Sequence, residues 1–185
     1  MSEKGILFSG PMVRAILDGR KNQTRRICKS GMVTENPLAK GYFTDQTGKL
    51  VIPKYRIGDV LYVRETWEYF FYDREIKKQY YWYKADYPDF PEECPEGWLF
   101  EDAGSACPKD TWHPSLHMPK AAARIWLKVT DVRAERLQEI TDDGARQEGV
   151  ENREAFRELW GKINGESSWD NNPYVWVIKF ERVEK

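Results

Sequence analysis

Lys21, Thr24, Arg25 and Arg26, within the run Gly19-Arg20-Lys21-Asn22-Gln23-Thr24-Arg25-Arg26, are the residues of this chain best suited to chemistry. A lysine followed three places later by a threonine can serve two ends. Its amine can take the hydroxyl's proton and activate it for attack on an amide, or the surrounding cations can hold a phosphate. A free lysine amine has a pKa of about 10.4 and is protonated at neutral pH. Burial and nearby positive charge favour the neutral amine, and Arg20, Arg25 and Arg26 supply that charge. Spacing adds a condition. On a straight strand, positions i and i+3 face opposite ways. Lys21 therefore meets Thr24 only if the chain bends through Arg20 to Gln23 and strand structure starts near Thr24. Backbone N–H groups near Gly19 are the expected oxyanion donors.

The elements that must position this run are readable on both sides of it. Ser9-Gly10-Pro11 opens a helix, Met12, Ile16 and Leu17 fall at helical spacing, and Gly19 stands where a C-terminal cap belongs. The basic run thus begins where a short helix stops. Residues 29 to 54 read as a loop with one strand. Gly58-Asp59 is a turn leading into a buried strand, Val60 to Val63. Aromatics crowd Tyr69 to Tyr72 and Tyr80 to Tyr83, then prolines, glycines and acids take over. We read residues 68 to 112 as a hairpin and a long irregular loop inserted into one domain that spans 1 to 185.

The C-terminal part is patterned more strongly. Ile125 to Val132 is a strand in which Ile125, Leu127 and Val129 alternate with Trp126, Lys128 and Thr130. Thr141-Asp142-Asp143 caps a short helix ending near Gly149. Asn152 caps a second helix that carries Phe156, Leu159, Trp160 and Ile163 on one side. Tyr174 to Val183 is a closing strand. Strands far apart in sequence, with short helices between them, predict an α+β fold: a small mixed β-barrel with short flanking helices.

Composition narrows the function classes. The chain has 185 residues, 41% hydrophobic and 14% aromatic, enough for a real core. No apolar run approaches the ~20 residues of a membrane span, and the N-terminus lacks a secretory pattern, so a cytoplasmic protein without membrane contact is expected. The formal charge of −1 gives no global field for nucleic acid. Charge is local instead: Arg14, Arg20, Lys21, Arg25, Arg26 and Lys29 are opposed only by Asp18 between positions 14 and 29. Cys94, Cys107, His113 and His117 lack the close cysteine pair of a structural zinc site, so no metal and no cofactor is expected. Trp67, at the end of the Val63-Arg64-Glu65 strand, is the best candidate to stack on a nucleobase.

Gly19-x-Lys21-x-x-x-x-Arg26 after a short helix, with the later Gly58-Asp59-Val60-Leu61-Tyr62-Val63, resembles the ASCH domain family of the PUA-like superfamily. Arg64-Glu65-Thr66-Trp67, His117-Met118-Pro119-Lys120 and Trp176-Val177-Ile178-Lys179-Phe180 look like the longer branch common in phages and prophages. The resemblance covers most of the chain outside residues 68 to 112. It implies a PUA-like barrel that binds RNA or a nucleoside.

One activity of that family is N(4)-acetylcytidine amidohydrolase, which uses a lysine, a threonine three residues later and a distant glutamate. The first two match Lys21 and Thr24, and aligning Ile140-Thr141 through Gln147-Glu148 puts the third at Glu148. The resemblance thus implies Lys21, Thr24 and Glu148 as catalytic. It surrounds them with Gly19, Arg20, Arg25, Arg26, Arg64, Glu65 and Trp67 as substrate- or nucleic-acid-binding residues. Two alternatives use the same cations: a non-catalytic RNA- or DNA-binding module, and a ribonuclease with Lys21 as base. For Arg26 an internal salt bridge with Glu65 or Asp59 is the structural alternative.

Overall fold

The computed structural model describes residues 2–36, 39–87 and 112–185. Its elements in chain order are β1 (Glu3–Leu7), α1 (Gly10–Leu17), β2 (Gln23–Ile27), β3 (Val33–Glu35), β4 (Phe43–Asp45) and β5 (Leu50–Val51). They continue with β6 (Val60–Arg64), β7 (Trp67–Asp73), β8 (Lys78–Tyr83), β9 (Trp126–Arg136), α2 (Asp142–Gln147), α3 (Arg153–Asn164) and β10 (Tyr174–Val183). The fold is a mixed α+β fold, mostly sheet, with three short α-helices among the described residues. No closed barrel is formed by the described strands. None of the described helices is long and apolar enough to cross a membrane.

The chain divides into two compact units, Met1–Lys4 with Ala15–Leu61 and Trp126–Lys185, and Gly5–Arg14 with Tyr62–Ile125. The first is built on a sheet of order β1-β6-β9-β10-β2, to which β1 and β6 give their opening residues. β10 runs antiparallel to β2 and to β9, pairing Thr24 with Ile178, Arg25 with Val177 and Arg26 with Trp176. Strand alternation therefore puts Gln23, Arg25, Val175, Val177, Arg133 and Glu135 on one face. Thr24, Arg26, Trp176, Ile178, Val132 and Ala134 share the other.

The first of these faces carries the helices: Val175 and Val177 pack in one cluster with Ala145, Phe156, Trp160 and Trp169. The second carries a small sheet of order β3-β4-β5, with Phe43 edge-on to Trp176 at 4.6 Å. β9 holds both faces in order despite an irregularity. Lys179 pairs with Asp131 and Phe180 with Val129, so Thr130 is an extra residue, a bulge. Leu127 and Val129 before it and Val132 after it consequently stay buried on the same side.

The helix caps are as the sequence predicts. Thr141 accepts from the Gly144 N–H and Asn152 from the Ala155 N–H. Two expectations are corrected. Residues 29 to 54 hold three short strands where one was expected, because two- and three-residue strands are too short to show alternation. Ile163 is exposed, not on the buried side of α3. The chain reverses at Gly165, with a φ of 91°, and Trp169 completes the cluster after the helix has ended.

In the second unit β7 and β8 form the expected antiparallel hairpin, pairing Trp67 with Tyr83. Trp67, Met118 and Ala122 are its buried centre, with Tyr81 and Tyr83 packed against them. The long loop expected after the hairpin lies mostly outside the described residues, as do Cys94 and Cys107.

Candidate functional site

The basic run is bent as the chemistry requires. Helix α1 closes on Gly19, whose N–H donates to Ile16 O and whose φ is 73°. From there the Lys21 N–H donates to Ala15 O, and Asn22 N–H to Gln147 O. Lys21 forms an isolated antiparallel bridge with Glu148, the residue capping the end of α2. Strand β2 starts at Gln23, one residue earlier than expected.

This bridge brings together two side chains 127 positions apart. Lys21 Nζ lies 2.8 Å from Glu148 Oε2, 2.8 Å from Glu148 O and 2.7 Å from Gln23 O. Reaching the carbonyl of Gln23 means that the side chain curls forward along its own chain. Lys21 is 2% exposed and Glu148 3%. The other carboxylate oxygen, Glu148 Oε1, accepts from Arg25 Nη1 at 3.0 Å. Arg25 also donates to Glu135 Oε1 through Nη2 at 2.5 Å and through Nε at 3.0 Å. Arg133 Nε donates to Glu135 Oε2 at 3.1 Å. The result is a chain of alternating charge, buried at Lys21, Glu148 and Arg25 and partly exposed at Glu135 and Arg133: lysine, carboxylate, guanidinium, carboxylate, guanidinium.

Burial is the dominant influence on Lys21. Desolvation pulls its pKa below the usual lysine value, Glu148 opposes this through charge and hydrogen bonding, and Arg26 and Arg25 add to the lowering. Arg26, half-buried, is also lowered by desolvation, with Glu148 and Tyr55 acting against it. Gly149 is what lets these groups approach. Its φ is 89°, and a Cβ there would sit 2.8 Å from Ala15 Cβ and 3.1 Å from Lys21 Cβ.

Thr24 is the member that departs from expectation. It is buried, but it shares a face of β2 with Arg26, opposite Arg25. Its hydroxyl makes no hydrogen bond among the described residues, and the three protons of the Lys21 ammonium are directed at Gln23 O and at two oxygens of Glu148. Arg20 is exposed, paired with Asp18 at 2.8 Å and donating from Nη1 to Gly149 O at 3.4 Å, so it sits at the rim of the cluster. The alternative for Arg26 finds other partners in place: Asp59 is held by Lys4 at 2.6 Å and Ser2 at 2.7 Å.

Arg64, Glu65 and Trp67 belong to the second unit and are built into contacts of their own. Arg64 donates to Met118 O and Leu116 O. Glu65, buried, accepts two bonds from Arg124, at 2.9 and 3.0 Å, and Arg124 also grips Asp86. Desolvation still outweighs Arg124 and raises the Glu65 pKa. Trp67 is no stacking platform. Its ring is buried edge-on to Tyr69 and Tyr81, because it fills the centre of the unit. His113 sits 5.0 Å from that ring with Nε2 3.5 Å from Glu68, and His117 is exposed on a 3-10 turn. Among the described residues no three His, Cys, Asp or Glu side chains gather as a metal site.

Sequence reasoning missed Glu135, Arg133 and Gly149. Arg133 and Glu135 alternate at positions that extend the predicted strand beyond Val132, and that continued alternation was the available signal. Gly149 reads from sequence only as a helix end; its close approach to Lys21 has no local signature.

Fold and site together define a mixed α+β protein with a buried lysine–carboxylate–guanidinium network beside a sheet edge. Comparison with protein-family models, with curated proteins and with solved structures gives no match to this chain.

Proposed function

We propose that this is a PUA-like protein of the ASCH type that binds RNA or a modified nucleoside at the Lys21 cluster and hydrolyses the amide of an acylated cytidine. The observation that carries the reading is the buried contact between Lys21 and Glu148. The resemblance pairs those two residues, and no local pattern would bring them together. In the resting arrangement Lys21 is the ammonium and Glu148 the carboxylate. Moving one proton from Lys21 Nζ to Glu148 turns the pair into a base and an acid without changing its charge. Burial, which lowers the Lys21 pKa, favours that exchange. Lys21 then takes the proton of Thr24 Oγ1 as the oxygen attacks the acyl carbon, and Glu148 protonates the departing cytosine amine. Water next attacks the acyl-threonine, giving up a proton as the threonine oxygen regains one. Arg26, on the face of β2 that carries Thr24, is the cation for the developing oxyanion.

A second reading rests on the saturation of Lys21. With all three protons bonded to acceptors, the same cluster serves a binding module in which Arg26 meets a phosphate and no bond is cleaved. Incubating the protein with N(4)-acetylcytidine and with short RNA separates the two. The hydrolase releases cytidine and acetate and loses turnover on Thr24→Ala while still binding nucleoside. The binding module turns over neither compound and shows salt-dependent oligonucleotide affinity that falls with Arg26→Ala. RNA cleavage that needs Lys21 but tolerates Thr24→Val would replace both with a nuclease.

A further inference from the structure

The β3-β4-β5 sheet of the first unit borders a cavity that takes no part in the Lys21 network. Its volume is about 240 Å³, and its apolar wall is formed by Leu50, Ile52, Ile57, Val132 and the ring of Tyr42. Val132 is buried at its floor, while Tyr42, at 60%, Ile52, at 55%, Leu50 and Ile57 are unusually open to solvent for their size. Large apolar groups gathered around one concavity mark a binding site more often than scattered ones do.

Charge at the cavity is one-sided. Lys40 and Arg56 line it and no carboxylate does. Lys40 is already neutralised by Asp131 at 2.9 Å. The Arg56 guanidinium has no ion pair and no hydrogen bond among the described residues; its backbone alone is engaged, the N–H donating to Asp59 Oδ2 and the carbonyl accepting from the Asp59 N–H. A planar fork of five donors therefore stands unused at the edge of an apolar hollow. One unpaired guanidinium balances one negative charge, which suits a carboxylate better than a phosphate dianion. The volume lies below the roughly 300–1,000 Å³ of drug-sized sites, so one or two fused rings fit.

We propose that this cavity binds a small planar aromatic carboxylate. The ring lies against Tyr42, Ile52 and Ile57, and the carboxylate takes two parallel N–H bonds from Arg56. The site is separate from the Lys21 cluster, so its failure leaves the hydrolase reading untouched.

The test is an NMR titration of the whole ¹⁵N-labelled chain with 2-naphthoate. The expected result is a saturable shift of the Gly41, Tyr42, Val51 and Ile57 amides. Arg56→Gln should weaken binding roughly tenfold or more, the usual loss of a charge-assisted pair. Ile52→Glu, at an exposed wall position, should weaken it while Arg56 is intact. Neutral 2-acetylnaphthalene should be indifferent to Arg56→Gln. Four results would overturn the proposal. They are an unsaturable titration, equal affinity in Arg56→Gln, displacement of naphthoate by equimolar inorganic phosphate, or the same shifts from raised protein concentration alone. The last would mark a contact between copies.

Discussion

Glu148→Gln removes the one negative charge between two buried cations while keeping the side chain's volume. Its cost follows from what each cation retains. Arg25 keeps Glu135, at 2.5 and 3.0 Å, and loses one bond of 3.0 Å. Lys21 keeps two carbonyl oxygens but loses the counter-charge of Glu148, at a site whose side chain has 0% exposure. Breaking a buried pair from one side costs about 3–5 kcal/mol, and Lys21 bears most of it here. The pH dependence has a definite sign. Lys21 is already lowered below 10.5 in the folded protein, and the variant loses both contributions that raise it. Between the folded value and 10.5 the unfolded chain binds more protons than the folded one, so stability rises with pH. In the variant that rise starts at lower pH, and its penalty relative to wild type narrows between pH 7 and pH 10. Urea unfolding of both proteins across that range measures it. Lys21→Met in the Glu148→Gln background should recover most of the loss, since no unpaired ammonium then remains. A penalty below about 1 kcal/mol at pH 7, or one that widens with pH, would refute the reasoning.

Gly149→Ala should cost about 2–3 kcal/mol, combining a left-handed backbone with a Cβ pressed against Ala15 and Lys21, and thermal unfolding reads it directly. Arg124→Met should cost about 3–5 kcal/mol at pH 7 by stranding Glu65 in the second unit. The Glu65 pKa, already raised, then climbs further, and the folded state gains protons relative to the unfolded one. The penalty should therefore shrink as pH falls from 7 toward 5. Asn152→Ala removes the cap of α3 and should lower stability by about 1 kcal/mol without altering ligand binding, as seen by denaturation and titration side by side.

Legibility followed the strength of local rules. The boundaries of β10 match because seven of its ten residues are β-branched or aromatic and only charged residues follow. Helices α2 and α3 were readable from Thr141 and Asn152, whose side chains cap them. The strands β3 to β5 were hidden because alternation needs more than three residues to show. Trp67 misled for the opposite reason: a tryptophan at a strand end suits a stacking surface or a core equally, and only packing decides. In the site, the bend before Gln23 was inferable from Gly19. The partnership of Arg25 with Glu135 was not, because it depends on two strands meeting through β10. Thr24 and Arg25 are neighbours in sequence and lie on opposite faces, a separation that residue spacing announces once the start of β2 is known.

Thr130 bears on how the gene can change in length. Adding or losing one residue in a strand ordinarily turns every later side chain over. In β9 the residue opposite no partner is already surplus, so deleting Thr130 leaves Leu127, Val129, Val132 and Ala134 in strict alternation and keeps Arg133 and Glu135 facing Arg25. A single-codon deletion there is the one the sheet can absorb. The same deletion at Val132 would instead place Arg133 where Val132 now stands and leave Arg25 without Glu135.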